Sequence, residues 1–98
     1  MINRVTLSGV LDDTSIEVKQ VSKTLCVAHA YLTTQNSNKT QSRKVKITLY
    51  NDLAKRFVYK QEDYKKSLCL YYGEVIFVED KDTTMIKINS LPTIISKL

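Results

Sequence analysis

Apolar and polar residues alternate with a period of two along most of the chain. In the first such run, Val5 and Leu7 alternate with Arg4, Thr6 and Ser8. This period is typical of strands that bury one face and expose the other. The same pattern predicts further strands in the segments 16–21, 25–32, 44–50, 68–78 and 85–88.

Other patterns separate the predicted strands. Residues 33–43 consist of Thr, Gln, Asn, Ser, Lys and Arg alone, which predicts a polar loop. Gly73 interrupts a strand-like run, where a bend or bulge is expected. Residues 79–83 predict a short turn, and the Leu91-Pro92 break predicts an irregular tail.

One segment has the spacing of a helix. Leu53, Ala54, Phe57 and Val58 fall on one face of a helix. Asp52 precedes them and is expected to be the N-cap, because its carboxylate can accept from the free amides of the first turn. The helix is expected to end within residues 59–66.

The order of elements predicts the fold class. Strands, one helix and two further strands indicate an all-β protein with one helix, as a single domain over residues 1–98. The arrangement expected is a five-stranded OB-fold barrel with the helix between strands 3 and 4. Such barrels often bind oligonucleotides on one face.

The charge is concentrated in one part of the chain. Fifteen basic and ten acidic residues give a net charge of +5, and residues 19–60 hold nine basic residues and one acidic residue, a net +8. A polyanionic partner would explain this concentration, and a requirement for solubility alone is the alternative. No apolar run is long enough to span a membrane, and the segment after Met1 is not a signal peptide. Cys26 and Cys69 lie in apolar segments, which predicts buried free thiols in a reducing cytosol.

Several segments resemble bacterial single-stranded DNA-binding proteins. Residues 2–11 resemble the family's opening strand, I-N-[KR]-V-x-L-x-G-x-L, and residues 27–32 resemble V-A-x-x-x-L. Residues 49–55 are similar to L-[FW]-G-K-L-A-E, residues 64–68 to part of Y-L-K-K-G-S-x-V, and residues 73–75 to G-R-L. The segments occur in the family's order.

This resemblance implies which side chains face outward. It also implies that the protein binds single-stranded DNA through them, without strong sequence preference. Lysine and arginine would neutralise phosphates, and tyrosine rings would stack on unpaired bases. Tyr50 aligns with a stacking aromatic of the family. The expected DNA-binding residues are Arg4, Thr6, His29, Tyr31, Lys39, Arg43, Lys44, Lys46, Thr48, Tyr50 and Tyr72.

Two biological roles remain open. The resemblance implies replication or repair in a phage, plasmid or other mobile element. The alternative is a restart protein of the primosomal replication protein B type, because residues 3–9 also fit its N-R-x-x-L-S-G opening. The helix segment 53–66 fits the first family better. The chain has no Trp, and its end at Leu98 leads us to expect that it lacks the acidic tail with which relatives recruit enzymes.

Other function classes are less consistent with the residues. The acidic residues fall at predicted turns and the expected binding face carries none, so an enzyme such as a nuclease is not expected, although a pure protein adaptor remains a rival. The single His29 and the two distant cysteines predict no metal site, and no cofactor is implied. The expected partners are single-stranded DNA, with RNA left open, a second copy in a homodimer or homotetramer, and replication or helicase proteins. The expected location is the cytoplasm, with the nucleoid and not a membrane.

Overall fold

A computed structural model describes residues 3–35, 42–78 and 83–98. These residues form seven strands and two helices, in the order β1 (Val5–Leu11), β2 (Lys19–Gln20), β3 (Cys26–Gln35), β4 (Ser42–Tyr50), α1 (Asn51–Tyr59), α2 (Gln61–Lys65), β5 (Ser67–Val78), β6 (Thr83–Ile88) and β7 (Thr93–Lys97). Neither helix is long and apolar enough to cross a membrane.

Five of the strands close into a barrel. Their order is β1-β3-β4-β6-β5, and β5 pairs again with β1. The β4–β6 pairing is parallel and the others are antiparallel. This closed five-stranded arrangement is the OB-fold, and the predicted fold class is confirmed. The helices lie between β4 and β5 and not between β3 and β4. The numbering differs from the prediction because the two-residue β2, which lies outside the barrel, adds one strand to the count.

The seam between β1 and β5 closes the barrel. It pairs Val5 with Gly73 and continues without a shift to Val10 and Leu68. Beyond the end of β1, the Asn3 amide continues the pairing: its Nδ2 donates to the Val75 carbonyl at 2.7 Å, and the Val75 N–H donates to its Oδ1 at 3.4 Å. A side chain therefore acts here as one further residue of the strand.

The core follows from the period-two pattern. Leu32, Ile47 and Leu49 are fully buried, and the two helices add Phe57 and Tyr64, whose rings stack at 5.2 Å between centroids. Tyr71 is also buried, and burial raises the pKa of its hydroxyl. Its hydroxyl has no hydrogen-bond partner among the described residues. The cysteines are buried and free, as predicted.

The start of α1 corrects the predicted N-cap. Tyr50 and not Asp52 occupies the N-cap position, and Asp52 lies in the first turn, where it pairs with Arg56 at 3.3 Å. Asn51 has φ of 55°, a left-handed conformation that asparagine adopts more readily than most residues. Its Oδ1 accepts from the Cys26 N–H at 3.0 Å, so the turn into the helix is fastened to β3.

The segment around Ile16 is not the strand that its alternation predicted. Only Lys19 and Gln20 pair as a strand, with β3. Ile16 is buried, and the Gln61 side chain of α2 binds both of its backbone groups at 3.1 Å. An amide side chain therefore takes the place of a neighbouring strand at this position.

Two other boundaries differ from the prediction. The polar segment 33–43 is not all loop, because β3 continues to Gln35 and β4 begins at Ser42, and the intervening residues 36–41 lie outside the described ranges. The residues after Pro92 form β7, which pairs with β5, and are not an irregular tail. The predicted turn 79–83 cannot be compared, since 79–82 lie outside the described residues and Thr83 already belongs to β6.

Gly73 allows β6 to approach β5 closely. It pairs with Val5 on one edge and Ile88 on the other, both in continuous register, and the register shift of β5 lies at Leu68/Cys69 instead. The predicted bulge at Gly73 is therefore wrong. A Cβ on Gly73 would lie 2.2 Å from the Lys87 carbonyl oxygen, so that any side chain would push β6 away.

Candidate nucleic-acid interface

Three adjacent strands place basic and aromatic side chains on one outward surface. Because Ile47 and Leu49 point into the core, their neighbours on β4 point outward. Cross-strand pairing adds side chains of β3 and β6 to the same side. We call this surface the sheet face, defined by His29, Tyr31, Lys46, Tyr50 and Lys87.

The register orders these side chains into rows. His29 on β3 faces Thr48 on β4, and Thr48 faces Lys87 on β6. In the next row Tyr31 faces Lys46. Cations and rings therefore stand beside one another at the spacing of neighbouring strands, about 5 Å.

Two tyrosine rings of the sheet face are accessible to a ligand. Tyr31 is 44% exposed, and Tyr50 is half-buried. The Lys87 Nζ lies 5.8 Å from the centroid of the Tyr50 ring, within the range of a cation–π interaction. Lys87 also pairs with Glu74 on β5, at 3.6 Å between Nζ and Oε1.

The basic end of β4 carries Arg43 and Lys44, both exposed. The Lys44 Nζ forms a 2.9 Å ion pair with Asp12, whose Oδ1 accepts from the Thr33 hydroxyl at 2.9 Å. Burial raises the pKa of Asp12, but the hydrogen bonds from Lys44 and Thr33, together with the Lys44 charge, outweigh burial and hold that pKa below its usual value. Lys44 therefore already has an anionic partner.

Thr48 is on the outward side of β4, as expected, but it is not accessible. Its exposed fraction is 0%, and its neighbours in the row are the longer side chains of His29 and Lys87. Its Oγ1 has no hydrogen-bond partner among the described residues. The expectation that Thr48 offers a contact to a ligand is therefore wrong for this structure.

Three predicted contact residues form a separate group. Arg4, Thr6 and Tyr72 surround a groove of about 390 Å³, and the Tyr72 hydroxyl donates to the Thr93 Oγ1 at 3.2 Å. β1 pairs with β3 and β5 and is not adjacent to β4 in the barrel. The expected DNA-binding residues therefore do not all lie on one surface, because this group is separate from the sheet face.

Two predicted residues have particular positions. His29 lines a shallow groove of about 210 Å³ together with Glu17 and Lys19, at the margin of the sheet face. Lys39 lies outside the described residues.

The sequence reasoning missed Lys87 and also Glu74. The expectation that the binding surface carries no acidic residue is wrong, because Glu74 lies opposite Lys87 beside the sheet face and Asp12 pairs with Lys44. The alternation of residues 85–88 could have placed Lys87 outward. Its proximity to Tyr50 depends on the parallel β4–β6 pairing, which no local pattern indicates.

The remaining tyrosines have other surroundings. Tyr64 and Tyr71 are buried beside Phe57, and Tyr59 is 89% exposed at the end of α1. Among residues 3–35, 42–78 and 83–98, no group of three or more His, Cys, Asp or Glu side chains is placed to hold a metal ion.

Comparison with known proteins identifies relatives by structure only. No family model matches the sequence, and no curated protein sequence is similar to it. The SSB domain of a Synechococcus protein superposes with a TM-score of 0.73 at 9% identity, covering 95% of this chain and 96% of that one.

Two further structures are similar. The N-terminal domain of the PriB protein from Thermoanaerobacter tencongensis, described as dimeric, has a TM-score of 0.69 at 14% identity and covers 97% of this chain and 98% of that one. A small single-stranded DNA binding protein from Mycoplasma pneumoniae has a TM-score of 0.58 at 20% identity, covering 92% and 84%. At these identities the likeness establishes the shared fold.

Proposed function

We propose that this chain binds single-stranded DNA, without strong sequence preference, through the sheet face. The observation that carries the proposal is the alternation of rings and cations across adjacent strands: Tyr31 opposite Lys46, and Tyr50 beneath the Lys87 ammonium. Exposed rings stack on unpaired bases of any sequence, and lysines neutralise the phosphates between them.

The structural neighbours support this proposal through their fold. Two of the three are an SSB domain and a single-stranded DNA binding protein by name. Arg43 and Lys44 would extend the path of the DNA strand at the end of β4, and Lys39 is proposed as a further contact. The group of Arg4, Thr6 and Tyr72 would contact a strand that continues around the barrel.

Binding of labelled oligo-dT, followed by fluorescence anisotropy over a series of salt concentrations, tests the proposal. Each phosphate neutralised should contribute about −0.7 to the slope of log K against log salt. A duplex of the same length should bind more weakly, because its paired bases cannot stack on Tyr31 or Tyr50. Salt-independent affinity, or equal affinity for the duplex, contradicts the mechanism.

The cellular role we propose is replication or repair of a phage, plasmid or other mobile element, at single-stranded DNA in the cytoplasm. The alternative is a restart protein like primosomal replication protein B, which the similarity to the PriB domain favours. The two helices between β4 and β5 favour the first role, as the helix segment did in the sequence. Both roles include self-association, and native mass determination with and without oligo-dT would give the oligomeric state and the site size together.

The proposal is binding without catalysis. Labelled DNA incubated with the protein and Mg²⁺ or Ca²⁺ should remain intact, and the appearance of shorter products would contradict it. The rival role as a protein adaptor predicts weak affinity for oligo-dT that does not change in Tyr50→Ala.

A further inference from the structure

The pair of Glu74 and Lys87 lies beside the Tyr50 ring. The two residues are directly opposed on β5 and β6, and their side chains are 39% and 41% exposed. The same Lys87 ammonium lies 3.6 Å from the Glu74 carboxylate and 5.8 Å from the centre of the Tyr50 ring. One cation therefore serves an aromatic ring and a carboxylate at once.

We propose that Glu74 is a built-in competitor for the DNA backbone, which holds Lys87 in the free protein and is replaced by a phosphate in the complex. This inference rests on the proposed function. Carboxylate and phosphate are both oxyanions that a lysine ammonium binds. A base stacked on Tyr50 brings its own phosphate to the surface where Lys87 stands.

The geometry of the pair suits an exchange of partners. Its distance of 3.6 Å is longer than that of a charge-assisted hydrogen bond, which is about 2.7–2.9 Å, and exposed pairs of this kind contribute little to stability. The Lys44–Asp12 pair differs, since it is 2.9 Å long, its carboxylate is 15% exposed, and Thr33 binds the same group. Of these two pairs, the one beside Tyr50 is therefore the easier to open.

The exchange has a measurable effect on salt dependence. When Lys87 moves from Glu74 to a phosphate, one cation leaves the DNA, but the freed Glu74 carboxylate attracts a cation in turn, so the net release is smaller. Removing the Glu74 charge removes this offset and also removes the competition for Lys87. Glu74→Gln should therefore bind single-stranded DNA more tightly and with a steeper salt slope.

The experiment compares five forms of the full chain: wild type, Glu74→Gln, Lys87→Gln, the double variant and Glu62→Gln. Glu62 is the matched control, because it pairs with Lys65 on α2 at 3.3 Å and its replacement makes the same change in net charge away from the sheet face. Anisotropy with labelled oligo-dT over a salt series gives the affinity and slope, and thermal unfolding verifies that each form is folded.

Glu74→Gln should bind about three- to tenfold more tightly at low salt, with a slope steeper by up to about 0.7. Glu62→Gln should change affinity less than about twofold. In the Lys87→Gln background the gain from Glu74→Gln should disappear, because the two residues act through one contact. A gain no larger than that of Glu62→Gln, or one that persists without Lys87, overturns the inference. In either case wild-type binding still supports the proposed function, whereas a wild type that does not bind contradicts both.

Discussion

The sheet face and the exposed surface of α1 are both basic and aromatic, but they are built differently. The helix surface, which we define by Lys55, Arg56, Tyr59 and Lys60, has three cations against two on the sheet face, and it has a more exposed tyrosine. On the helix, Arg56 pairs with Asp52 one turn away, and Tyr59 is 89% exposed. On the sheet face, strand pairing holds each ring beside a cation of the neighbouring strand.

This difference shows that charge alone does not define the candidate site. The segment 19–60 supplies cations to both surfaces, and the net +8 of that segment does not distinguish them. The sheet face differs because its rings and ammonium groups have a fixed spacing. That spacing is set by β4, which is hydrogen-bonded to β3 on one edge and to β6 on the other. The following variants test this distinction.

Moving the backbone beneath the sheet face should have the largest effect. In Gly73→Ala the new Cβ would meet the Lys87 carbonyl oxygen at 2.2 Å, so β6 must shift, and the free energy of unfolding should fall by about 3 kcal/mol. Lys55→Ala on the helix surface should change it by less than about 0.5 kcal/mol. Urea unfolding measures both, and a Gly73→Ala protein as stable as wild type would show that β6 is not held this closely.

Removing one ring from each surface compares the two directly. Tyr50→Leu should weaken oligo-dT binding by about 1–3 kcal/mol, a loss of roughly 5- to 150-fold, since leucine cannot stack on a base. Tyr59→Leu should change affinity less than about twofold, although Tyr59 is the more exposed ring. Tyr50→Phe keeps the ring and should retain most of the affinity. Equal losses in Tyr50→Leu and Tyr59→Leu would remove the distinction between the surfaces.

Removing one cation from each surface should have a smaller effect. Lys46→Gln should reduce the magnitude of the salt slope by about 0.7, the contribution of one phosphate contact. Lys55→Gln makes the same change in net charge on α1 and should leave the slope unchanged. If both variants reduce the slope equally, the bound DNA also contacts α1.

The Asp12–Lys44 pair at the start of β4 and the Asp52–Arg56 pair of α1 should differ slightly in how their contributions to stability depend on pH. Because the folded state lowers the pKa of Asp12, its contribution to stability is complete above the unfolded value of about 3.9 and is lost as the pH falls through the folded pKa. The stability difference between wild type and Asp12→Asn should therefore shrink below about pH 4. Asp52→Asn is the control, because both side chains of its pair with Arg56 are mostly exposed. A stability difference for Asp12→Asn that is constant down to pH 2 would show that the Lys44 pair does not affect folding.

The barrel was predicted from the sequence because its strands alternate between core and surface and because segments in the same order resemble a family with this fold. The alternation predicts that Lys46 and Tyr50 point outward, but it does not indicate which strand lies beside them. The parallel β4–β6 pairing brings Lys87 to Thr48 across 39 positions of the chain, and so neither the cover over Thr48 nor the contact with Tyr50 could be predicted.

Local signals failed where a side chain replaced a backbone partner. The segment around Ile16 has the alternation of a strand, but Gln61 of α2 takes its hydrogen bonds. Asp52 is a good N-cap by residue type, but Tyr50 is the N-cap, so α1 starts two residues earlier, with Asn51 in a left-handed conformation at its first position. The Leu91-Pro92 break suggested an irregular tail. The strand β7 was missed because its partner β5 lies more than twenty residues away, where no local pattern indicates it.

The seam that closes the barrel also determines when the barrel can form. Asn3 and Val75 are 72 positions apart, whereas β3 and β4 are consecutive along the chain and pair as neighbours. Closing a long loop costs entropy before its contacts repay it, so the hairpin of β3 and β4 should form early and the seam late. During synthesis on the ribosome, β1 emerges long before β5 and must wait for it. The completed barrel is therefore a late product of folding, which the chain can reach only after β5 and β6 have been synthesised.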